Sequence, residues 1–258
     1  MSSRCDVTKY TLEGFGIHKK IAVLADLHGK PCERLLPLLR EERPDWICIP
    51  GDFVEEAWRD EPAAWAYGLS LLRELCAMAP TFYSLGNHEI GACGSELSAL
   101  RRTGLPSHSL HPRFVQLVEG TGAILLDDRA VCVDGVWIGG LGSGLSCEDG
   151  RPNIAFLNEF EAYEGKKILL SHHPEYYSKY IKDRSVDLVL SGHAHGGQWR
   201  FFGQGVYAPG QGLFPRYTAG VHDGRLVVSR GLGNLKAIPR IGNRPEVVIL
   251  TLGHKEKE

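Results

Sequence analysis

Three things are missing from this chain of 258 residues, and each narrows what it can be. There is no C-x-x-C pair. The seven cysteines (Cys5, Cys32, Cys48, Cys76, Cys93, Cys132 and Cys147) are widely scattered, which removes zinc-ribbon and thioredoxin-type sites from consideration. Their odd number and spacing fit a reducing compartment rather than a disulfide scaffold. There is no basic excess either. Lys and Arg total 29 against 31 Asp and Glu, a net charge of −2, so the footprint of a nucleic-acid-binding surface is absent, although a local basic pocket remains open. Nor is there a long hydrophobic run. Nothing approaches the roughly 18 residues that span a bilayer, and the opening MSSRCDVTKYTLEGF lacks the charged-then-apolar order of a secretory signal. These absences predict a cytoplasmic protein with no transmembrane segment. No repeat or linker divides the chain, so a single domain over residues 1–258 is expected, long enough to bury a sizeable core.

What is there begins with short apolar runs alternating with amphipathic stretches. KIAVLAD (residues 20–26) is apolar and β-branched throughout, as in a strand buried on both faces. DWICIPGD, TFYSLGNHE, KKILLSHH and VDLVLSGH repeat the pattern. A helix is expected over residues 31–43, with Leu35, Leu36, Leu38 and Leu39 on its apolar side and Pro37 weakening its first turn. A second is expected through EPAAWAYGLSLLRELCAM, where Pro62 suits the first turn, and a short one over residues 175–182. AILLDDRAVCVDGVWIGGL (residues 123–141) reads as three short strands joined at Asp127 and Asp128 and at Asp134 and Gly135, an antiparallel hairpin pattern. Residues 196–220, rich in Gly, Pro and aromatics, are expected as an ordered loop before strands in RLVVSRGLG and EVVILTL. The sum is an α/β fold with a mixed sheet system.

Five of the expected strands end alike. IAVLADLH closes with Asp26 and His28, DWICIPGD with Asp52, and TFYSLGNHE with Asn87, His88 and Glu89. KILLSHHP closes with His172 and His173, and VDLVLSGHAH with His193 and His195. In open α/β sheets ligands bind outside the carboxyl ends of strands, so these side chains are expected in one shared site. Residues two apart on an extended chain point the same way. Asp26 with His28, and His193 with His195, can therefore each present two groups to one side. Gly51, Gly86 and Gly192 are expected to permit the sharp turn by which each strand leaves its sheet. Carboxylate, amide oxygen and imidazole without thiolate suit Mn, Fe or Zn. Singly, each fragment has a plainer reading as a turn or an unrelated pair. Their recurrence in order, always at a strand end, selects the metal site.

In this order D-x-H, G-D, G-N-H-E, H-x-P and G-H-x-H resemble the motifs of the calcineurin-like metallophosphoesterases, from Ile21 to His195. GGQWR, YAPGQGLFP, YTAG, VSRGLG and RPEVVILTL extend the similarity toward a bacterial phosphodiesterase-like branch over nearly the whole chain. The resemblance implies a four-layer α/β/β/α sandwich with two mixed β-sheets, and two divalent metal ions (Mn, Fe or Zn) at the strand ends. It assigns Asp26, His28 and His195 to the first ion, Asn87, His172 and His193 to the second, and Asp52 to both. His88 would face the substrate, and Glu89 would orient that imidazole or support the ligand shell. His173, the middle residue of H-x-P, receives no role. Many members carry a further acidic residue or asparagine soon after G-D; here FVEEAW follows, and neither Glu55 nor Glu56 is assigned.

Charge then predicts the chemistry. Two divalent ions bring four positive charges, and Asp26 and Asp52 return only two negative ones. The surplus attracts a phosphate ester and lowers the pKa of a bridging water toward neutrality. The expected activity is hydrolysis of a phosphate mono- or diester by a metal-bridging hydroxide, with His88 stabilising charge or protonating the leaving oxygen. Two alternatives stay in view. A peripheral membrane-surface hydrolase of a phospholipid or nucleotide-lipid pyrophosphate would use the same site. A non-catalytic scaffold of the same fold would be expected to lack ligands, and none is missing. Loops at residues 142–153 and 198–215 are expected to wall the site. Trp199, Phe201, Phe202 and Tyr207 either stack on substrate or pack their loop onto the core; Arg200, Arg230 and Arg240 either contact phosphate or face solvent.

Overall fold

The computed structural model describes residues 5–57, 59–90, 110–144, 151–233 and 239–253. The chain runs β1 (Asp6–Glu13), β2 (Lys19–Val23), α1 (Leu35–Glu42), β3 (Trp46–Pro50), α2 (Pro62–Cys76), β4 (Thr81–Ser84), α3 (Pro112–Glu119) and β5 (Ile124–Leu126). It continues through β6 (Arg129–Val133), β7 (Val136–Leu141), α4 (Ile154–Ala162), β8 (Lys166–Ser171) and β9 (Leu188–Ser191). Four two-residue strands follow: β10 (Arg200–Phe201), β11 (Gln204–Gly205), β12 (Tyr207–Ala208) and β13 (Gly212–Leu213). β14 (Gly220–His222), β15 (Leu226–Val228) and β16 (Glu246–Gly253) complete the chain. Among the described residues there are two six-stranded sheets, ordered β1-β16-β2-β3-β4-β5 and β14-β15-β9-β8-β7-β6. Both are mixed: β2, β3, β4 and β5 run parallel, as do β7, β8, β9 and β15, with antiparallel strands toward the edges.

Side-chain alternation builds the layers. On β3, Ile47 and Ile49 face the helices, where Leu35 and Leu39 of α1, Leu72 of α2 and Phe114 of α3 close over them. Trp46 and Cys48 point the other way, to meet Ile138, Ile168, Leu170 and Leu190 of the second sheet. Leu169 and Val189 emerge on that sheet's far side under Phe156, Leu157 and Phe160 of α4. The strands are apolar on both faces because both faces are covered, and each fully buried large side chain contributes ~1.5–3 kcal/mol. The architecture is the four-layer α/β/β/α sandwich. No helix among the described residues is long and apolar enough to cross a membrane.

The structure departs from the sequence expectation in several places. Helix α1 begins at Leu35, not residue 31, so Pro37 falls in the first turn, where its missing N–H has no helical partner to lose. The segment 123–141 is not a three-stranded antiparallel meander. β6 and β7 do form a hairpin through Asp134 and Gly135, both at positive φ. β5, however, pairs in parallel with β4 in the other sheet. The turn at Asp127 and Asp128 thus carries the chain between sheets. β1, α3 and α4 are additional elements; the short helix expected at residues 175–182 is present, with a π-helical stretch at Tyr177–Ile181.

Candidate active site at the strand ends

β2, β3 and β4 of the first sheet and β8 and β9 of the second all release their chains at one seam, which brings the five motifs together. Asp26, His28, Asp52, Asn87, His172, His193 and His195 are all buried there. The backbone N–H of His193 ties the two sheets by donating to Asp26 Oδ1 at 2.9 Å, and within the first sheet that of His88 donates to Asp52 Oδ1 at 2.9 Å. Asp26, His28, Asp52, His193 and His195 each adopt left-handed backbone, with φ between 46° and 64°. Such conformations cost ~1–3 kcal/mol per residue and concentrate where function requires them. The glycines differ in their reasons. Gly51, at φ 101°, makes the turn expected of it. Gly86 and Gly192 are not at positive φ; a Cβ would instead lie 2.2 Å from Asp52 Oδ1 and 2.7 Å from Asp26 Oδ2, respectively. Their role is close approach, which corrects the expectation of a turn at all three.

The side chains gather into two groups whose ligand atoms lie within 4.8 Å of one another: Asp26 with His28 and His195, and Asp52 with His172 and His193. In the first, His28 Nε2 faces His195 Nε2 at 3.2 Å, and His195 Nε2 is 3.7 Å from Asp26 Oδ1. In the second, His193 Nδ1 faces His172 Nε2 at 3.2 Å, and His172 Nε2 is 3.0 Å from Asp52 Oδ2. Two imidazole nitrogens facing at this distance can share a proton or face a common cation, and with a carboxylate beside each pair the donor set fits cations. Outer partners fix the rings. His172 Nδ1–H donates to the carbonyl of Pro50 at 2.9 Å, and His28 Nδ1–H to Glu55 Oε1 at 3.0 Å. In both rings Nε2 is then the nitrogen a metal could use.

Burial holds His193 and His195 well below the usual histidine range, as neutral rings suited to metal. At His172 burial acts in the same sense, but the charges of Asp52 and Asp26 outweigh it and bring the ring up to about 9. Burial opposes charge on Asp52 too, yet His172 and His88 hold that carboxyl well below its ordinary range. Burial pushes Asp26 up, with Asp52 acting in the same direction.

Sequence reasoning passed over Glu55. Its Oε1 accepts from His28 and its Oε2 from His88 Nδ1, at 2.7 Å, so one carboxylate orients two site histidines. Burial works against its charge, but these bonds bring it to about 2. His88 is partly exposed at the pocket mouth, with Nε2 4.0 Å from Asp52 Oδ2; His28, Asp52 and His88 form a further group within ligand distance. Glu89 does not reach the His88 ring through any bond described. Its carboxylate accepts from the backbone N–H groups of Asp52, Phe53, Val54 and Gly86 and from the Tyr83 hydroxyl, and so shapes the turn that carries Asp52. His173 turns from the pocket toward Ser143 Oγ, 2.6 Å from its Nε2, and toward Glu175.

Of the three arginines, Arg230 is committed to ion pairs with Asp6 and Glu246, and Arg200 to the Gly196 carbonyl and Thr218. Arg240 Nη2 lies 3.3 Å from His195 Nδ1. Trp199, Phe201, Phe202 and Tyr207 are exposed and not packed onto the core. Of the loop at residues 142–153, positions 145–150 lie outside the described residues.

The family model for calcineurin-like phosphoesterases matches residues 19–197. Phosphodiesterase YaeI of Escherichia coli (strain K12) is 31% identical over 90% of this chain and 82% of its own. An uncharacterized metallophosphoesterase of Aquifex aeolicus (strain VF5) is 29% identical over 96% of this chain and 92% of its own. A solved metallophosphoesterase from Sphaerobacter thermophilus, 15% identical, covers 69% of this chain and 61% of its own, with a TM-score of 0.31. With all five motifs gathered at the seam between two mixed sheets, and the family model spanning every one of them, the chain belongs to the calcineurin-like phosphoesterases and is a phosphohydrolase.

Proposed function

We propose that this enzyme hydrolyses phosphate mono- or diesters with a pair of divalent cations. The observation that carries the reading is the two ligand groups, each with imidazole nitrogens facing at 3.2 Å. Asp26, His28 and His195 would hold one ion, Asn87, His172 and His193 the other, and Asp52 both. When bound, such ions neutralise phosphate charge and lower the pKa of water toward neutrality. Nitrogen and oxygen donors without thiolate favour Mn, Fe or Zn over Mg.

The chain's own residues supply the rest. His88 donates Nδ1–H to Glu55, so Nε2 is the nitrogen that can hold a proton for the departing alkoxide. Glu55 stabilises the protonated ring and keeps it aimed, while Glu89 keeps the Asp52 turn in shape. Water adds its oxygen to phosphorus and gives up one proton, the ester P–O bond breaks, the alkoxide leaves with the proton from His88, and the proton given up by water restores His88. The odd, scattered cysteines support a cytoplasmic location, which fractionation tests. For the activity, a screen of aryl phosphate mono- and diesters with Mn²⁺ is the experiment. Turnover that chelation abolishes and Mn²⁺ restores is expected; no turnover of either class with any of Mn²⁺, Fe²⁺ or Zn²⁺ would refute the reading.

A further inference from the structure

The exposed large hydrophobic residues are not scattered. Apart from Val7, those described are Trp199, Phe201, Phe202, Tyr207, Leu213 and Phe214 in one short stretch, with Ile241 beside them. The stretch forms two small hairpins, β10–β11 and β12–β13. They are built on a firm base. Gly197 sits so close under Gly205 that a Cβ would lie 2.4 Å from its Cα, and Arg200 Nη1 bonds to Gly196 O and Thr218 Oγ1. Trp199 pairs with Ile241, and the Asn243 side chain bonds to the carbonyls of His195 and Gln198. The hairpins therefore stand directly beside the ligand His195.

The tip of the first hairpin and the residue that follows the second carry apolar bulk where backbone geometry argues against it. Phe202 is fully exposed in a two-residue turn at φ 48°, and Phe214 is 71% exposed at φ 49°. Asn or Gly is the unstrained choice at such positions. A solvated surface gains nothing from a strained, exposed phenyl ring, whereas an apolar phase that receives it does. The charge is equally one-sided. Residues 196–222 and 239–245 contain Arg200, Arg216, Arg240 and Arg244 and no Asp or Glu, in a chain of net charge −2. Arg216 and Arg244 are well exposed, loosely paired with Asp223 at 3.6 Å and Asp6 at 3.8 Å, pairs that water screens.

We infer that this face docks on an anionic lipid bilayer, inserting Phe202 and Phe214 while Arg216 and Arg244 meet headgroup phosphates. Projecting separate rings suit a fluid acyl boundary, and Trp, Tyr and Phe are the residues that settle at headgroup depth. A bilayer on this face lies beside the pocket, so the ester it takes is a phosphate of a lipid headgroup; that last clause rests on the phosphoesterase reading.

The test is co-sedimentation of the full chain with vesicles of phosphatidylcholine alone and of phosphatidylcholine mixed equally with phosphatidylglycerol, beside turnover of a soluble aryl phosphate. The comparison protein is the double variant Phe202→Asn, Phe214→Asn, since asparagine accepts left-handed backbone and keeps the turns. The wild type is expected to pellet with the mixed vesicles and far less with phosphatidylcholine alone. Losing two rings should lower partitioning about a hundredfold, tenfold for each, with soluble-ester turnover unchanged. Wild-type protein that stays in solution, or a variant that pellets equally, overturns the proposal. If the wild type ignores vesicles and the variant changes from dimer to monomer in sedimentation velocity, the face joins two copies and the lipid assignment is overturned. Vesicle binding that is lost in the variant, with no turnover of any ester, supports the surface and instead refutes the phosphoesterase reading.

Discussion

Glu55→Gln replaces one of two acceptor oxygens by an NH₂ and leaves shape untouched. In the wild type both carboxylate oxygens accept, from His28 Nδ1 at 3.0 Å and His88 Nδ1 at 2.7 Å. A glutamine has one acceptor oxygen and one NH₂, so it can keep only one of these bonds as it stands. If the amide serves His28, His88 loses the charge that favours its protonated form. If it serves His88, His28 is driven to the tautomer with a proton on Nε2, the atom needed for metal. A hydrogen bond to a charged group contributes ~1.5–3 kcal/mol, and loss of an outer partner of this kind costs about 10- to 100-fold in affinity or activity. Steady-state kinetics on aryl phosphates, with metal affinity measured in parallel, should show kcat reduced by that order. The alkaline limb of the pH profile should also move down, because the His88 proton is held less firmly. Glu55→Gln with wild-type kcat, metal affinity and pH profile would refute the positioning role.

Further outcomes follow from the same geometry. His88→Ala should keep near-normal metal content and lose kcat by about 10²–10⁴ on esters with poor leaving groups, less on nitrophenyl esters; His195→Ala should lose metal and activity together. If His88→Ala sheds metal as His195→Ala does, His88 is a ligand. In chelated protein His172, raised to about 9 by Asp52, holds a proton at neutral pH that metal must displace. Its raised pKa stabilises the chelated fold fully below about 6.5, and this is lost as pH climbs through about 9. Calorimetric titration with Mn²⁺ in buffers of different ionisation enthalpy should therefore show proton release near pH 7 that falls away above about 9, and release independent of pH would exclude His172 as a ligand.

The candidate ligand positions were legible because each lies within five residues of a buried strand's end, where local pattern and chemistry coincide. Glu55 was not. In FVEEAW two adjacent glutamates stand in a loop with no periodicity, and only the fold brings Glu55, rather than Glu56, against His28 and His88. Partner choice was equally hidden: a two-residue aspartate turn after β5 reads as a hairpin, but packing between the sheets sends β5 to β4 and β6 to β7. β1 escaped notice because its sole described partner, β16, lies at the opposite end of the sequence and pairs in parallel, a contact no local signal announces. For α4 a signal existed, since Asn153 caps the helix by accepting from Phe156 N at 3.1 Å. α3 is capped instead by the imidazole of His111, outside the usual capping residues. The aromatic residues of the hairpin loop were ambiguous in sequence; their exposure is a property of the fold.

The two-cation site stands or falls on stoichiometry measured with activity. The purified chain should be stripped with a chelator, dialysed, and titrated with Mn²⁺ while bound metal is counted by inductively coupled plasma mass spectrometry and aryl phosphate turnover is followed in the same samples. Two ions per chain are expected, with turnover absent in the stripped protein and rising as the second ion binds. Stripped protein that still turns over substrate, or full activity with a single ion bound, would contradict the site described.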